Sequence, residues 1–235
     1  SELLDAGLVV QNKNGGLYDK FRNRLMLPVI DTRGDVVAFG SRVLDKSEPK
    51  YMNSSETPVY SKRRVLYGLN LAKKSKRPNI ILCEGNLDIV TLHQAGFDNA
   101  VASMGTALTV EQTRLLSRFT KELVLCYDND NAGKIATERA LQILNGSEFS
   151  VKVLQLPRRL VDGEYIKQDA DDFIKLQGPD AFERLLNGSE NGVEFRMAQI
   201  AGKYDLKDDE ARIAYCGEVS ELLASLPGAV EREIY

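Results

Sequence analysis

Glu122-Leu123-Val124-Leu125-Cys126-Tyr127-Asp128-Asn129-Asp130-Asn131-Ala132-Gly133 is the stretch on which the fold turns. A short apolar run stops at two aspartates and then at Asn-Ala-Gly. Such a run, bounded by turn formers, predicts a strand buried on both faces, as in a parallel sheet. A second run of the same kind lies upstream, Asn79-Ile80-Ile81-Leu82-Cys83, and it ends in Glu84-Gly85. Open α/β sheets collect their ligands at the carboxyl ends of strands. Glu84, Asp128 and Asp130 are therefore candidates for one crevice, where they would form a hard-oxygen cage for Mg²⁺ or Mn²⁺. That equipment suits chemistry on phosphates. Capping is the competing explanation, because Asp128, Asp130 and Asn131 also make good helix N-caps. Two acidic clusters on two strands, with glycines beside both, favour a site.

The pattern around these runs alternates strand and helix. Leu87, Val90, Thr91 and Gln94 share one side of a helix that ends at Gly96. Asn99 to Ser103 predicts a strand, and Met104-Gly105-Thr106-Ala107 a loop after it, in which packing is the default role of Met104 and Thr106. Thr109-Val110-Glu111-Gln112 has the form of a capping box opening a helix to about Phe119. Ala132, Ile135, Ala136, Ala140, Ile143 and Leu144 trace an apolar stripe, and Val151 to Leu156 a fourth strand. A loop then ends in Gln168-Asp169-Ala170-Asp171-Asp172-Phe173. From about 177 the pattern is helical with breaks, including Val193 to Ile200 and Asp209 to Leu226. Crossovers this short give a parallel sheet covered by helices.

The front of the chain is different. Residues 1–78 hold 15 Lys and Arg against 8 Asp and Glu, while residues 79–235 hold 16 against 26. A basic part beside an acidic part suits an enzyme that handles a polyanion. Arg24 to Ile30 and Val36 to Leu44 predict a β-hairpin around Asp31-Thr32-Arg33-Gly34-Asp35. Pro28 makes its strand an edge, or ends it. Pro49 to Arg64 reads as a polar, turn-rich basic loop with interleaved tyrosines. Lys and Arg there can grip phosphate, and Tyr can stack on an unpaired base.

The 235 residues suffice for one buried core with a subdomain or two. No apolar stretch approaches ~18 residues, so no membrane span is expected. The start at Ser1-Glu2-Leu3, without Met or signal peptide, reads as a piece of a longer chain. Cys83, Cys126 and Cys216 fit neither a disulfide framework nor a zinc knuckle. His93, alone on its helix, is expected to serve packing rather than catalysis.

In chain order, Glu84-Gly85, Asp128-x-Asp130 and Asp169-x-Asp171 resemble the toprim domain. The flanks narrow the resemblance. Asp19-Lys20-Phe21-Arg22-Asn23-Arg24-Leu25-Met26-Leu27-Pro28-Val29, Phe39-Gly40-Ser41-Arg42-Val43-Leu44, Pro49-Lys50-Tyr51-Met52-Asn53-Ser54-Ser55-Glu56-Thr57 and Leu66-Tyr67-Gly68-Leu69-Asn70 are similar to the RNA polymerase domain of bacterial DnaG-type primases. So are Ala102-Ser103-Met104-Gly105-Thr106-Ala107 and the Tyr127–Gly133 string. The resemblance covers about residues 2 to 176, with the rest matching only as a generic helical extension.

It implies an α/β toprim domain over 79–176, with a Rossmann-like parallel sheet and flanking helices. A basic α+β subdomain over 1–78 precedes it and a helical subdomain over 177–235 follows. It implies a monomeric bacterial, cytoplasmic enzyme that makes short RNA primers from ribonucleoside triphosphates on single-stranded DNA for chromosome replication. Two Mg²⁺ or Mn²⁺ ions are implied at Glu84, Asp128 and Asp130. Asp128 would bridge the ions, Asp130 would hold the second, and Glu84 would serve as ligand, general base or both. Asp88 matches the acidic end of the family's Glu-Gly-x-x-Asp string, although a first-turn carboxylate also suits a helix dipole. Asp169 and Asp171 would be outer metal or nucleotide-phase groups, with Asp172 a helix-start residue. Lys50, Arg42, Lys62 and Arg22 would meet triphosphate or template phosphate, and Tyr51 and Asn53 would lie beside the incoming nucleotide.

Asn86 departs from the family, which often has Tyr there, but Asn is a good N-cap. No Cys/His cluster exists to hold zinc. The helicase-binding domain is expected to be absent, so a helicase would be reached only through a missing part. Rival readings are an aspartyl-nucleophile phosphatase, another toprim enzyme such as a topoisomerase or nuclease, and a non-catalytic single-strand binder. The first leaves Glu84 and the basic segment unexplained, the second lacks a marked nucleophilic Tyr, and the third conflicts with the intact acidic set.

Overall fold

The computed structural model describes residues 2–105, 107–161, 163–226 and 229–234. In the front part α1 (Glu2–Asp5), β1 (Val9–Gln11), β2 (Leu17–Asp19), β3 (Arg24–Ile30), β4 (Val36–Val43), β5 (Tyr51–Asn53), β6 (Leu66–Tyr67) and α2 (Leu69–Ala72) follow one another. Then come β7 (Asn79–Cys83), α3 (Asn86–Gln94), β8 (Ala100–Ser103), α4 (Val110–Leu116), β9 (Glu122–Leu125), α5 (Asn131–Leu144) and β10 (Ser150–Val153). β11 (Arg159–Val161) and β12 (Glu164–Ile166) form a hairpin ahead of α6 (Ala170–Gln177) and α7 (Pro179–Asn187). β13 (Glu190–Asn191), α8 (Gly192–Ala201), α9 (Asp209–Ala224) and α10 (Ala229–Ile234) are the last elements.

The two apolar runs become neighbouring parallel strands at the centre of a six-stranded sheet ordered β13-β10-β9-β7-β8-β6. The inner four strands are parallel, and β6 and β13 close the edges antiparallel. Side chains alternate between two cores. Ile80, Leu82, Leu123 and Leu125 pack with Leu116 of α4, Leu141 and Leu144 of α5 and Phe195 of α8. Ile81, Cys83, Val124 and Cys126 pack with Ile89 and Leu92 of α3, Phe173 of α6 and Phe182 of α7. Both faces are covered, which is why these strands read as unbroken apolar runs. A one-residue slip would exchange the two sets of side chains, and each buried Leu or Ile contributes about 1.5–3 kcal/mol, so the register is firmly set.

The front part adds a three-stranded antiparallel sheet, β3-β4-β5, with Val29, Ala38, Tyr60 and Met104 as its core. The hairpin loop is held by Asp31, whose Oδ1 accepts the N–H groups of Arg33, Gly34 and Asp35. β3 is an edge strand, as Pro28 requires, and it pairs past Pro28 to Ile30. Asn53 of β5 donates its Nδ2 to the carbonyl of Met104 at 3.4 Å, tying this sheet to the loop after β8. Gly40 lets the two parts meet: a Cβ there would stand 2.5 Å from Asn86 Nδ2 at the start of α3.

Several helix details differ from the sequence reading. The buried face of α3 is Asp88, Ile89 and Leu92, rather than Leu87, Val90, Thr91 and Gln94. The buried face of α5 is Gly133, Thr137, Ala140, Leu141 and Leu144, and Ile135 is 53% exposed. Apolar counting overlooked the small Gly and Thr that allow close packing and the Asp that the site buries. The Thr109–Gln112 capping box is present, but α4 ends at Leu116. Strand β5 and the β11–β12 hairpin arise inside segments read as loops. Thr106 lies outside the described residues.

Candidate catalytic cleft

The carboxyl ends of β7 and β9 deliver the first acidic group. Glu84 follows β7 directly, and its Oε1 accepts the Asp128 backbone N–H at 3.3 Å. Glu84 therefore faces the end of β9, beside Asp128. Burial raises the pKa of both carboxyls, and their mutual charge raises Glu84 further. Asp130 behaves differently. Its Oδ1 caps α5 by accepting the Gly133 N–H at 2.9 Å, and that bond, with the Lys167 ammonium, lowers its pKa. One oxygen of Asp130 thus does what the capping explanation required, while Oδ2 takes Lys167 Nζ at 3.1 Å.

Lys167 was not foreseen as a site residue. It follows β12, and its ammonium reaches Asp128 Oδ2 at 3.2 Å as well as Asp130. A lysine in a polar loop carries no motif, and only the hairpin's return brings it here.

Asp88 anchors the second acidic group. It is buried at one turn into α3, where it accepts the N–H of Gly85 at 3.2 Å and of Asp171 at 3.1 Å. It thus pins the Glu84-Gly85 turn to the start of α6. Burial, and then the charge of Asp169, push its carboxyl up to about 7. An Asp in the unfolded chain titrates near ~3.9. The stabilisation from this group is therefore complete below about pH 4 and is lost as pH rises through about 7. In EDTA, the melting temperature should fall between about pH 4 and pH 7, and Asp88→Asn should flatten that fall. An unchanged slope in the variant would contradict this origin.

Asp169 caps α6 by accepting the Asp172 N–H at 2.8 Å. Asp171 is engaged by the Thr91 hydroxyl and by Lys175 Nζ at 2.6 Å. Asp169, Asp171 and exposed Asp172 bring one carboxylate oxygen each within 4.8 Å of one another. Capping and ion pairing already use two of these three side chains. Glu84 and Asp128 are the desolvated, mutually repelling pair.

One cleft of about 460 Å³ joins the groups: Glu84, Asp88, Asp128, Asp169, Asp171 and Lys167 line it on one side. Arg42, Lys50, Tyr51 and Asn53 line the other. Arg42 and Lys50 lie 5.8 and 5.6 Å from the centroid of the Tyr51 ring. Burial raises the Tyr51 pKa, Arg42 opposes the rise, and Asp88, Asp169 and Asp171 add to it from across the cleft. Two of the basic residues expected here lie elsewhere. Arg22 is exposed over the Tyr18 ring at 5.1 Å. Lys62 stands near Lys20, whose pKa is lowered mainly by burial and then by Lys62. Neither is among the residues that line the cleft. Asp130 is not among the lining residues, but it shares Lys167 with Asp128. His93 packs: its Nε2 meets the Ala100 carbonyl at 2.8 Å.

The donor set consists of carboxylates held close in a partly desolvated cleft, with a lysine ammonium already drawn among them. That chemistry fits a hard divalent cation such as Mg²⁺. No helix among the described residues is long and apolar enough to cross a membrane.

Residues 1–73 match the family described as DNA primase catalytic core, N-terminal domain, and residues 81–174 match Toprim-like. Residues 193–235 match the DnaB-helicase binding domain of primase. That last match corrects the expectation that a helicase-binding part is missing. Helices of this kind carry no side-chain motif for their partner, so the segment read as a generic extension. A DNA primase from Clostridium acetobutylicum is 43% identical over all of this chain, which covers 38% of that protein. A DNA primase from Listeria monocytogenes is 37% identical over 98% of the chain and is covered to 36%. The chain thus spans under two fifths of the length of these relatives. A DNA primase domain from Pseudomonas aeruginosa superposes with a TM-score of 0.82 at 36% identity, covering 99% of this chain and 72% of that one. A DnaG primase catalytic domain bound to ssDNA gives 0.82 at 35%, covering 99% and 74%. Matched in this order along an uninterrupted toprim sheet, the chain belongs to the DnaG-type DNA primase family.

Proposed function

We propose that this chain carries the catalytic centre of a bacterial primase, which joins ribonucleotides into short RNA primers on a single-stranded DNA template. The observation that carries the reading is the Glu84–Asp128 contact at two parallel strand ends, opposite Arg42, Lys50 and Tyr51 in one cleft. Residues 1–78 serve as the template and nucleotide wall, 79–176 as the catalytic domain and 177–235 as a helical appendage with helicase contact. That a related catalytic domain is bound to ssDNA supports the template assignment.

Glu84, Asp128 and Asp130 would hold two Mg²⁺ or Mn²⁺ ions, with Asp169 and Asp171 contributing from the neighbouring helix start. When bound, such ions lower the pKa of an attacking hydroxyl and offset phosphate charge. The chain's own residues do the rest. Arg42 and Lys50 draw the triphosphate into the cleft. Tyr51, held between them, offers a ring face to a base. Asp88 fixes the Glu84 turn against α6, so the acids keep their spacing. Asn53 holds the basic sheet against the loop after β8.

Incorporation of ribonucleotides on a single-stranded template tests the reading. Glu84→Gln should lose incorporation, while Arg42→Ala with Lys50→Ala should mainly raise the KM for nucleotide, by about tenfold or more. Parent-like kinetics in both variants would reject the assignment.

A further inference from the structure

The acidic pair at the end of β9 has a cation of its own. Lys167 Nζ is within 3.2 Å of Asp128 and 3.1 Å of Asp130, and its side chain remains 60% exposed. Its tether is short: β12 ends at Ile166, and Asp169 already caps α6. The lysine is therefore confined to the cleft mouth even when it lets go. A divalent ion on Asp128 or Asp130 would draw on the same oxygens.

We propose that Lys167 is a built-in counter-ion that neutralises Asp128 and Asp130 in the metal-free protein and competes with the divalent cation for them. This rests on the reading of Glu84, Asp128 and Asp130 as the metal site. A divalent ion brings twice the charge, so it displaces the ammonium at sufficient concentration. The lysine then stands free in the cleft that Arg42 and Lys50 also line. The cleft thus stays folded without metal, and metal affinity is tuned downward by a residue that is not a ligand.

Mn²⁺ titration followed by electron paramagnetic resonance, without nucleotide, tests this in the whole chain. Lys167→Ala should bind Mn²⁺ about tenfold more tightly than the parent, and Lys167→Arg should stay near the parent. In EDTA, Lys167→Ala should melt lower than the parent, yet gain more on adding Mg²⁺. Equal or weaker Mn²⁺ affinity in a folded Lys167→Ala protein would overturn the proposal. A structural role alone would lower the melting temperature and leave the affinity unmoved. Asp128→Ala separates the two readings. If Mn²⁺ binding is unaffected by Asp128→Ala, the metal-site reading fails and this proposal with it. If Asp128→Ala abolishes binding while Lys167→Ala leaves it at the parent value, only the role of Lys167 falls.

Discussion

Asp128→Ala should reduce templated ribonucleotide incorporation by about 10³-fold or more and leave single-strand binding within about twofold. The first number follows from the chemistry, since metal-assisted charge stabilisation supplies several kcal/mol and each 1.36 kcal/mol is tenfold in rate. The second follows from the layout. The basic wall of Arg42, Lys50 and Tyr51 is built on β4 and β5 and their connecting segment, not on β9. Removing Asp128 takes away no hydrogen bond that holds an element in place, because its backbone N–H, not its side chain, meets Glu84. Its burial raises the carboxyl pKa, so an alanine relieves a desolvated charge, though Lys167 loses one partner. The melting temperature in EDTA should therefore move little. Asp130→Ala should differ, because it also removes the α5 cap, at about 1 kcal/mol. Incorporation by Asp128→Ala within tenfold of the parent would remove Asp128 from the centre of the chemistry.

Gly133→Ala should be the most damaging glycine-to-alanine change among the described residues. A Cβ at Gly133 would stand 1.9 Å from the carbonyl oxygen of Asp128. That oxygen is backbone at the strand end and cannot swing aside. The first turn of α5 is also where Asp130 caps the helix through the Gly133 N–H. To admit the methyl, α5 must tilt from the sheet, opening the packing of Thr137, Ala140 and Leu141. Overpacking of this severity costs about 3 kcal/mol or more. In a chain of this size that lowers Tm by roughly 6–12 °C. The shift also moves Asp128, so activity should fall at temperatures where the variant is still folded. A variant that melts like the parent would show that the strand-end turn is softer than its geometry implies.

The sheet was legible because it is buried on both faces. Ile80 to Cys83 and Leu123 to Cys126 have no polar interruption, and both runs give way to acidic residues with a glycine close by. Glycine and capping residues marked helix ends well, as at Gly96 and Thr109. The buried faces of α3 and α5 were legible only in part: Ala140 and Leu144 are buried as the apolar stripe predicts, but Asp88, Gly133 and Thr137 are buried for reasons that apolar periodicity does not register. In the cleft, motif spacing pointed to Glu84, Asp128 and Asp130, whereas Lys167 is set by the hairpin that returns it. Arg22 and Lys62 are not among the residues that line the cleft. The helicase-binding match over α8 to α10 rests on a pattern of helices too common for one sequence to single out.

In the proposed centre, Glu84 and Asp128 share a divalent cation facing Arg42, Lys50 and Tyr51. Crystals grown with Mn²⁺ and measured for anomalous scattering at the manganese edge would locate that cation. The expected result is anomalous density in contact with the Glu84 and Asp128 carboxylates, with Lys167 displaced from Asp128. Density confined to Asp169, Asp171 and Asp172, with Lys167 still on Asp128 and Asp130, would contradict it.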